Sequence, residues 1–240
     1  MSVSSHLRLT LLVDHYARPP YVSEYGLSIY LEGDSWRALF DLGQTPAALS
    51  KNAELAGLRP GSVDFIVISH EHFDHVGGLP AASRLARPGA PVFIPAGANW
   101  RLAKAIEGSG LTPKPLIAGG DAAPGVLITS QQYGPPYEHA ALIRVGGLGQ
   151  VLLVGCSHPG ISKVVSKVIY DTGSPPYAVI GGMHLAWSPE DRVKMEVEAL
   201  KNMGVRLLVP LHCSGDLVPR VASSVGLEVR RLNVGESIEL

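Results

Sequence analysis

Two cysteines, Cys156 and Cys213, are all that 240 residues provide. That is too few for the disulfide framework of a small secreted domain. Net charge is lacking too: it is −1 at pH 7, so no whole-protein field exists to gather nucleic acid or an anionic membrane surface. No apolar run approaches the roughly 20 residues needed to cross a bilayer. The N-terminus lacks the basic segment followed by an apolar stretch that marks a signal peptide. These absences leave a cytoplasmic protein without nucleic-acid or membrane partners as the expectation. Charged residues are only 17% of the chain and hydrophobic ones 46%, slightly apolar for a soluble protein and ample for a substantial core. No repeat, low-complexity tract or linker divides the chain, so one domain over residues 1–240 is expected.

What the chain has is histidine in one place. His70, His72, Asp74 and His75 fall within six positions of Val67-Ile68-Ser69-His70-Glu71-His72-Phe73-Asp74-His75. The preceding run from Val63 to Ser69 has the length and β-branched, aromatic content of a buried strand. Gly77-Gly78 follow at once, so the four polar residues lie on the turn that leaves it. His70 and His72 project the same way while the chain stays extended. Asp74 and His75 fall past the bend, better placed for a second ion. Three imidazoles and a carboxylate packed so tightly are hard to desolvate together unless a cation unites them. Their type and number are those of a metal site.

Along the chain, short strands alternate with helices. Leu7–Val13, Gly26–Leu31, Arg37–Asp41 and Pro91–Ile94 read as strands. Thr45-Pro46 opens a helix that Gly57 closes. Gly78–Leu85, Asn99–Glu107 and Ile161–Tyr170 read as helices, and residues 108–140, rich in Gly and Pro, hold short strands at best. Gly146-Gly147-Leu148-Gly149 joins Leu142–Val145 to Gln150–Val154 as a hairpin. Ser188-Pro189-Glu190 is expected to cap a helix that runs to Met203. Leu217–Val225 follows as a helix, and Leu227–Leu232 as a final strand. Three apolar strands lead into histidines: Val151–Val154 into His158, Tyr177–Ile180 into His184, and Leu207–Pro210 into His212. A site built on loops at one edge of a scaffold has this pattern. His158 and His212 are therefore candidate ligands, and His184 a ligand, substrate contact or proton carrier. His6 and His15 lack that context and read as structural. His139, in Tyr137-Glu138-His139, is a candidate for the substrate pocket.

The segment from His70 to His75 resembles the signature loop of the metallo-β-lactamase superfamily. Phe40-Asp41-Leu42-Gly43-Gln44, Gly155-Cys156-Ser157-His158-Pro159-Gly160, Gly181-Gly182-Met183-His184-Leu185 and Leu211-His212-Cys213-Ser214-Gly215 occur in the family's order. With Glu24-Tyr25-Gly26-Leu27-Ser28, the last three resemble the branch that includes dihydropterin–ribofuranosylaminobenzene phosphate synthase. The resemblance implies an α/β fold, a four-layer αββα sandwich, with one or two divalent metal ions: zinc first, then manganese or iron. His70, His72 and His158 are expected to hold one ion, and Asp74, His75 and His212 the other. Asp41 is expected to fix a histidine tautomer from behind the ligands. Cys156 stands where much of the superfamily has a bridging aspartate, and is expected to be a weak ligand or a support for one.

Two ions about 3.5–4 Å apart would share a water and aim hydroxide at an electrophile, with Asp74 and His184 as catalytic candidates. The first expectation is a metal-dependent hydrolase using metal-bound hydroxide on a phosphoester, phosphodiester or pyrophosphate-bearing small molecule. The alternative is the branch's transferase chemistry, joining a dihydropterin pyrophosphate to a ribofuranosylaminobenzene phosphate. A non-catalytic or redox metal module ranks third, because oxygen-reducing relatives carry glutamate where this chain has His72. A purely structural zinc site suits an open strand edge with surplus ligands poorly.

Overall fold

Strands that are apolar on both faces need cover on both faces, and that requirement builds this fold. The computed structural model describes residues 3–240. Its first sheet has seven strands, in the order Ser237–Glu239, Arg8–Val13, Ser28–Glu32, Arg37–Phe40, Phe65–Val67, Pro91–Pro95 and Thr112–Leu116. The second runs Glu228–Val229, Leu207–Leu211, Ala178–Gly182, Gly149–Val154, Ala141–Val145, Val126–Ile128 and Gly120–Ala123. In the ligand strand, Phe65 and Val67 face the inner core while Ile66 and Ile68 face outward. In its counterpart, Val151 and Leu153 face in, Leu152 and Val154 out. The inner core joins both sheets. Each outer face is covered by its own helices: Pro46–Leu55, Leu79–Leu85 and Trp100–Gly108 on one, and Ile161–Thr172, Glu190–Asn202 and Leu217–Ser224 on the other. The chain is thus a four-layer αββα sandwich.

Topology then decides where chemistry can sit. Arg37–Phe40 and Phe65–Val67 pair in parallel, as do Gly149–Val154, Ala178–Gly182 and Leu207–Leu211. Arg8–Val13 is antiparallel to Ser28–Glu32, which is antiparallel to Arg37–Phe40, so the first and third of these run the same way. Asp14, Asp41, His70, Cys156, His184 and His212 all follow the carboxyl ends of such strands, where open α/β sheets place their ligands.

Most local expectations hold. Thr45 caps its helix by accepting from the Ala48 N–H, with Pro46 at the first position. The glycine-rich hairpin pairs Val145 with Gly149. Three details differ. Pro189, not Ser188, precedes the helix Glu190–Asn202, and no side chain caps it; the Ser188 N–H is drawn into a turn with the Leu185 carbonyl, and Glu190 and Asp191 supply first-turn negative charge instead. The final strand expected over Leu227–Leu232 shrinks to Glu228–Val229. The chain instead ends in Ser237–Glu239, which crosses to edge the first sheet beside Arg8–Thr10.

Candidate metal centre

The polar residues at these strand ends are held in unusual backbone. Among the described residues, the non-glycine positions with positive φ are Asp41 (56°), Ser157 (59°), His184 (53°) and His212 (48°). Each belongs to the site or touches it. Left-handed backbone costs an L-residue about 1–2 kcal/mol, and strain of this kind gathers where side-chain direction matters more than local comfort.

Asp41 is fully buried and organises the ligand loop. Its Oδ1 accepts the Ser69 N–H at 2.7 Å, and its Oδ2 accepts the Ser69 hydroxyl at 2.7 Å. The same Oδ2 lies 2.7 Å from His75 Nδ1. His75 therefore carries a proton on Nδ1 and turns Nε2 into the site; Asp41 raises the pKa of the ring against its burial. Ser69 has already spent its proton on Asp41, so at 2.9 Å it accepts from His70 Nδ1, which leaves His70 Nε2 bare. One carboxylate thus bears on two imidazoles, directly on His75 and through Ser69 on His70. Gly155 has to lack a side chain here: a Cβ on it would stand 2.0 Å from the Ser69 hydroxyl.

Two clusters result. His70 Nε2 lies 3.1 Å from His72 Nδ1 and 3.3 Å from His158 Nε2. Ligands about 2.0–2.1 Å from a tetrahedral zinc stand roughly 3.3–3.4 Å from one another, close to the separations of His70 Nε2 from its two neighbours. Burial and neighbouring imidazoles hold His70 well below its ordinary pKa, hold His158 down at about 4 and lower His72. Neutral imidazoles keep a lone pair that a cation can take. In the second cluster, Asp74 Oδ2 lies 3.5 Å from His75 Nε2 and 3.1 Å from His212 Nε2. Burial pushes the Asp74 carboxyl up, but His212 and His75 more than offset it and bring it to about 2. His212 Nδ1 is buried without a hydrogen-bond partner, while its Nε2 has the Asp74 carboxylate beside it.

Cys156 lies between the clusters. Its sulfur is 3.3 Å from His75 Nε2. It also groups within 4.8 Å with the ligand atoms of His70 and His158, with those of His75 and His212, and with those of His184 and Cys213. Its thiol is hydrogen-bonded to Cys213 and buried, and both raise its pKa. The chain's two cysteines, 57 residues apart in sequence, therefore meet behind the site as free thiols. His184 stands outside both triads, exposed, with its ring 4.6 Å from that of His158; its hydrogen bond to Cys213 raises its pKa.

Some neighbours were not legible in the sequence. Glu138 is buried, and its carboxylate accepts the N–H groups of Cys156, Ser157 and His158 at 2.8–2.9 Å, fixing the turn that presents His158. Burial raises its pKa against the pull of those three donors. Asp14, also buried, accepts the His212 N–H. His15, read above as structural, stacks on Tyr25 at 4.9 Å and meets the edge of His212 at 5.3 Å. Isolated acids and a histidine on an antiparallel hairpin carry no spacing signal. His139 is placed in the interior, 2% exposed, with neither ring nitrogen hydrogen-bonded; burial brings its pKa to about 4.

Residues 24–166 match the metallo-beta-lactamase superfamily. The chain belongs to that superfamily. Its members are generally enzymes and typically bind divalent metals, in keeping with the donor set above. Over 88% of each chain it is 29% identical to 7,8-dihydropterin-6-methyl-4-(beta-D-ribofuranosyl)-aminobenzene-5'-phosphate synthase of Methanocaldococcus jannaschii. Among solved structures it superposes on a metal-dependent hydrolase of the beta-lactamase superfamily with a TM-score of 0.82 and 23% identity, covering 98% of this chain and 99% of that one. A diphosphatase from the PhnP family gives 0.67 and 14%, covering 98% and 97%. At those identities the superpositions speak for the fold. Among the described residues no helix is long and apolar enough to cross a membrane.

Proposed function

We propose that this metallo-beta-lactamase superfamily member is a metal-dependent hydrolase of phosphorylated small molecules, a phosphoester, phosphodiester or pyrophosphate. The observation that carries the proposal is that His70 with His158, and His75 with His212, each lie within ligand distance of Cys156 at one strand edge. His70, His72 and His158 would hold one divalent ion, and Asp74, His75 and His212 a second, zinc first and then manganese or iron. Such ions supply Lewis acidity and make water a nucleophile near neutral pH.

The chain's own residues do the rest. Asp41 and Ser69 hold His75 and His70 by Nδ1, so that Nε2 of each faces the site. Glu138 holds the His158 turn and Asp14 the His212 turn, so the donors are placed before substrate arrives. If only the first ion is bound, Asp74 is left to orient a nucleophilic water or shuttle its proton. His184, exposed beside His158, is placed to give a proton to the departing oxygen. The exposed side of the site runs past His72 and His184, so substrate enters there.

The relative aligned over most of both chains favours a second reading, in which the same site assists transfer from a dihydropterin pyrophosphate to a ribofuranosylaminobenzene phosphate. One experiment separates them. Metal-loaded protein is given a phosphoester or pyrophosphate substrate with and without the aromatic ribofuranosyl phosphate acceptor. Hydrolysis without acceptor supports the first reading. Product that forms only with both partners supports the second. Turnover of lactones or thioesters alone, unaffected by inorganic phosphate, refutes both.

A further inference from the structure

The site's imidazoles form a continuous row of ring contacts. His212 meets His75 at 5.0 Å, His75 meets His70 at 4.1 Å, His70 meets His158 at 4.8 Å, and His158 meets His184 at 4.6 Å. An aromatic side chain stands at each end: Tyr25 against His212 at 5.0 Å and Trp187 against His184 at 6.1 Å. The two ends differ. The Tyr25 ring is 45% exposed, but it is packed by His212 and, nearly parallel, by His15, so one of its faces is already taken. Trp187 is 71% exposed, and its contact with His184 is edge-on, which leaves at least one broad indole face uncovered.

The backbone that carries Trp187 is fixed. The Leu185 and Ala186 N–H groups both donate to the Cys213 carbonyl at 3.0 Å. A Cβ on Gly215 would stand 2.5 Å from Ala186 Cα, so that loop rests directly on the turn after His212. A lone exposed tryptophan is unremarkable on a surface. One held by anchored backbone at the open end of a ligand row is a different object. Arg192, on the helix that follows, is close enough to the His184 imidazole to disfavour its cationic form, so positive charge lies on the same side.

We propose that Trp187 is the platform on which a planar aromatic or heteroaromatic group of the substrate stacks, while the substrate's anionic group sits at the His/Asp clusters. This rests on the phosphorylated-substrate reading for the anionic end only. Stacking on an aromatic side chain changes affinity by roughly 5- to 150-fold, and Trp187 is the side chain that supplies this selectivity.

The test measures binding of three probes to metal-loaded protein: methylphosphonate, phenylphosphonate and neutral benzamide. A Trp100→Phe background is used, because Trp36 is buried and Trp100 is the other exposed indole; fluorescence quenching then reports Trp187. Phenylphosphonate is expected to bind roughly ten-fold more tightly than methylphosphonate and to quench the emission. Trp187→Ala should abolish that advantage while leaving methylphosphonate affinity and metal content unchanged, and Trp187→Phe should keep part of it. Equal affinities in the parent protein, or an advantage that survives Trp187→Ala, overturn the platform and leave the phosphate reading intact. If neither phosphonate binds but benzamide quenches Trp187, the phosphate reading fails and the platform stands. If no aromatic probe quenches, the platform is refuted.

Discussion

Replacing Asp41 by asparagine exchanges one buried oxygen for an amide NH2 and little else, since asparagine is among the side chains that tolerate the left-handed backbone found there (φ 56°). The carboxylate accepts three hydrogen bonds of 2.7 Å. Asparagine's oxygen keeps the one from the Ser69 N–H. Its NH2 then faces the Ser69 hydroxyl and His75 Nδ1, both donors in the parent protein. His75 can satisfy the new donor only by moving its proton from Nδ1 to Nε2, the nitrogen that faces Asp74 and Cys156. Ser69 in turn is freed to donate to His70 Nδ1, which would protonate His70 Nε2 as well. Hydrogen bonds to a charged group contribute about 1.5–3 kcal/mol each, and loss of a tautomer-fixing partner costs about 10–100-fold in metal affinity. Asp41→Asn is therefore expected to weaken both ions by at least that factor, whereas Ser69→Ala should act mainly on the ion held with His70. Competition with a chromogenic chelator, checked by elemental analysis, reads the two affinities. If Asp41→Asn binds both ions as the parent does, the tautomer relay is wrong.

Loss of one ligand from each cluster should separate them: His158→Ala and His212→Ala are each expected to retain one ion of two by elemental analysis, and an unchanged stoichiometry for His212→Ala would displace that residue from the ligand set. Glu138→Gln keeps acceptors for at most two of the three N–H groups it now holds, so apoprotein stability in urea should fall by about 1–3 kcal/mol, and the ion near His158 should weaken; a neutral result would mean the turn is held without it. Chelation should lower the unfolding temperature, because ions that bind only the folded state contribute about 4 kcal/mol at a thousand times their Kd; a melting curve indifferent to chelator would refute a bound metal. His139 titrates in the unfolded chain near 6.5 and in the folded one near 4, so the unfolded state binds the extra proton between those values. Stability should thus fall by up to about 3 kcal/mol as pH drops from 6.5 to 4, and His139→Leu should flatten that slope; an unchanged slope assigns the pH dependence elsewhere.

The candidate ligands could be picked out in the sequence because they are local. His70, His72, Asp74 and His75 fill one turn after one strand, and each later histidine follows its own apolar run, so periodicity and spacing suffice. The layers were legible for a similar reason: strands such as Val151–Val154 are apolar on both faces and can only be interior. The failures involve groups whose roles depend on distant backbone. Ser188 looks like a cap until the turn from Leu185 shifts the helix start by one residue. Glu138 reads as an ordinary surface acid until the fold brings it beneath the amides of Cys156, Ser157 and His158.

By itself the sequence determined which side chains could bind a cation, and that strands and helices would alternate around a buried core, since both follow from residue type and short-range spacing. Only the tertiary structure brought these donors together and gave them their hydrogen-bond partners. Asp41 fixes His75 across 34 residues, Asp14 holds the His212 turn across 198, and Cys156 meets Cys213 across 57. Contacts of that range are set by strand order and register. They leave no periodic trace along the chain, because the hydrogen bonds that make them are satisfied only once both sheets have closed on their common core.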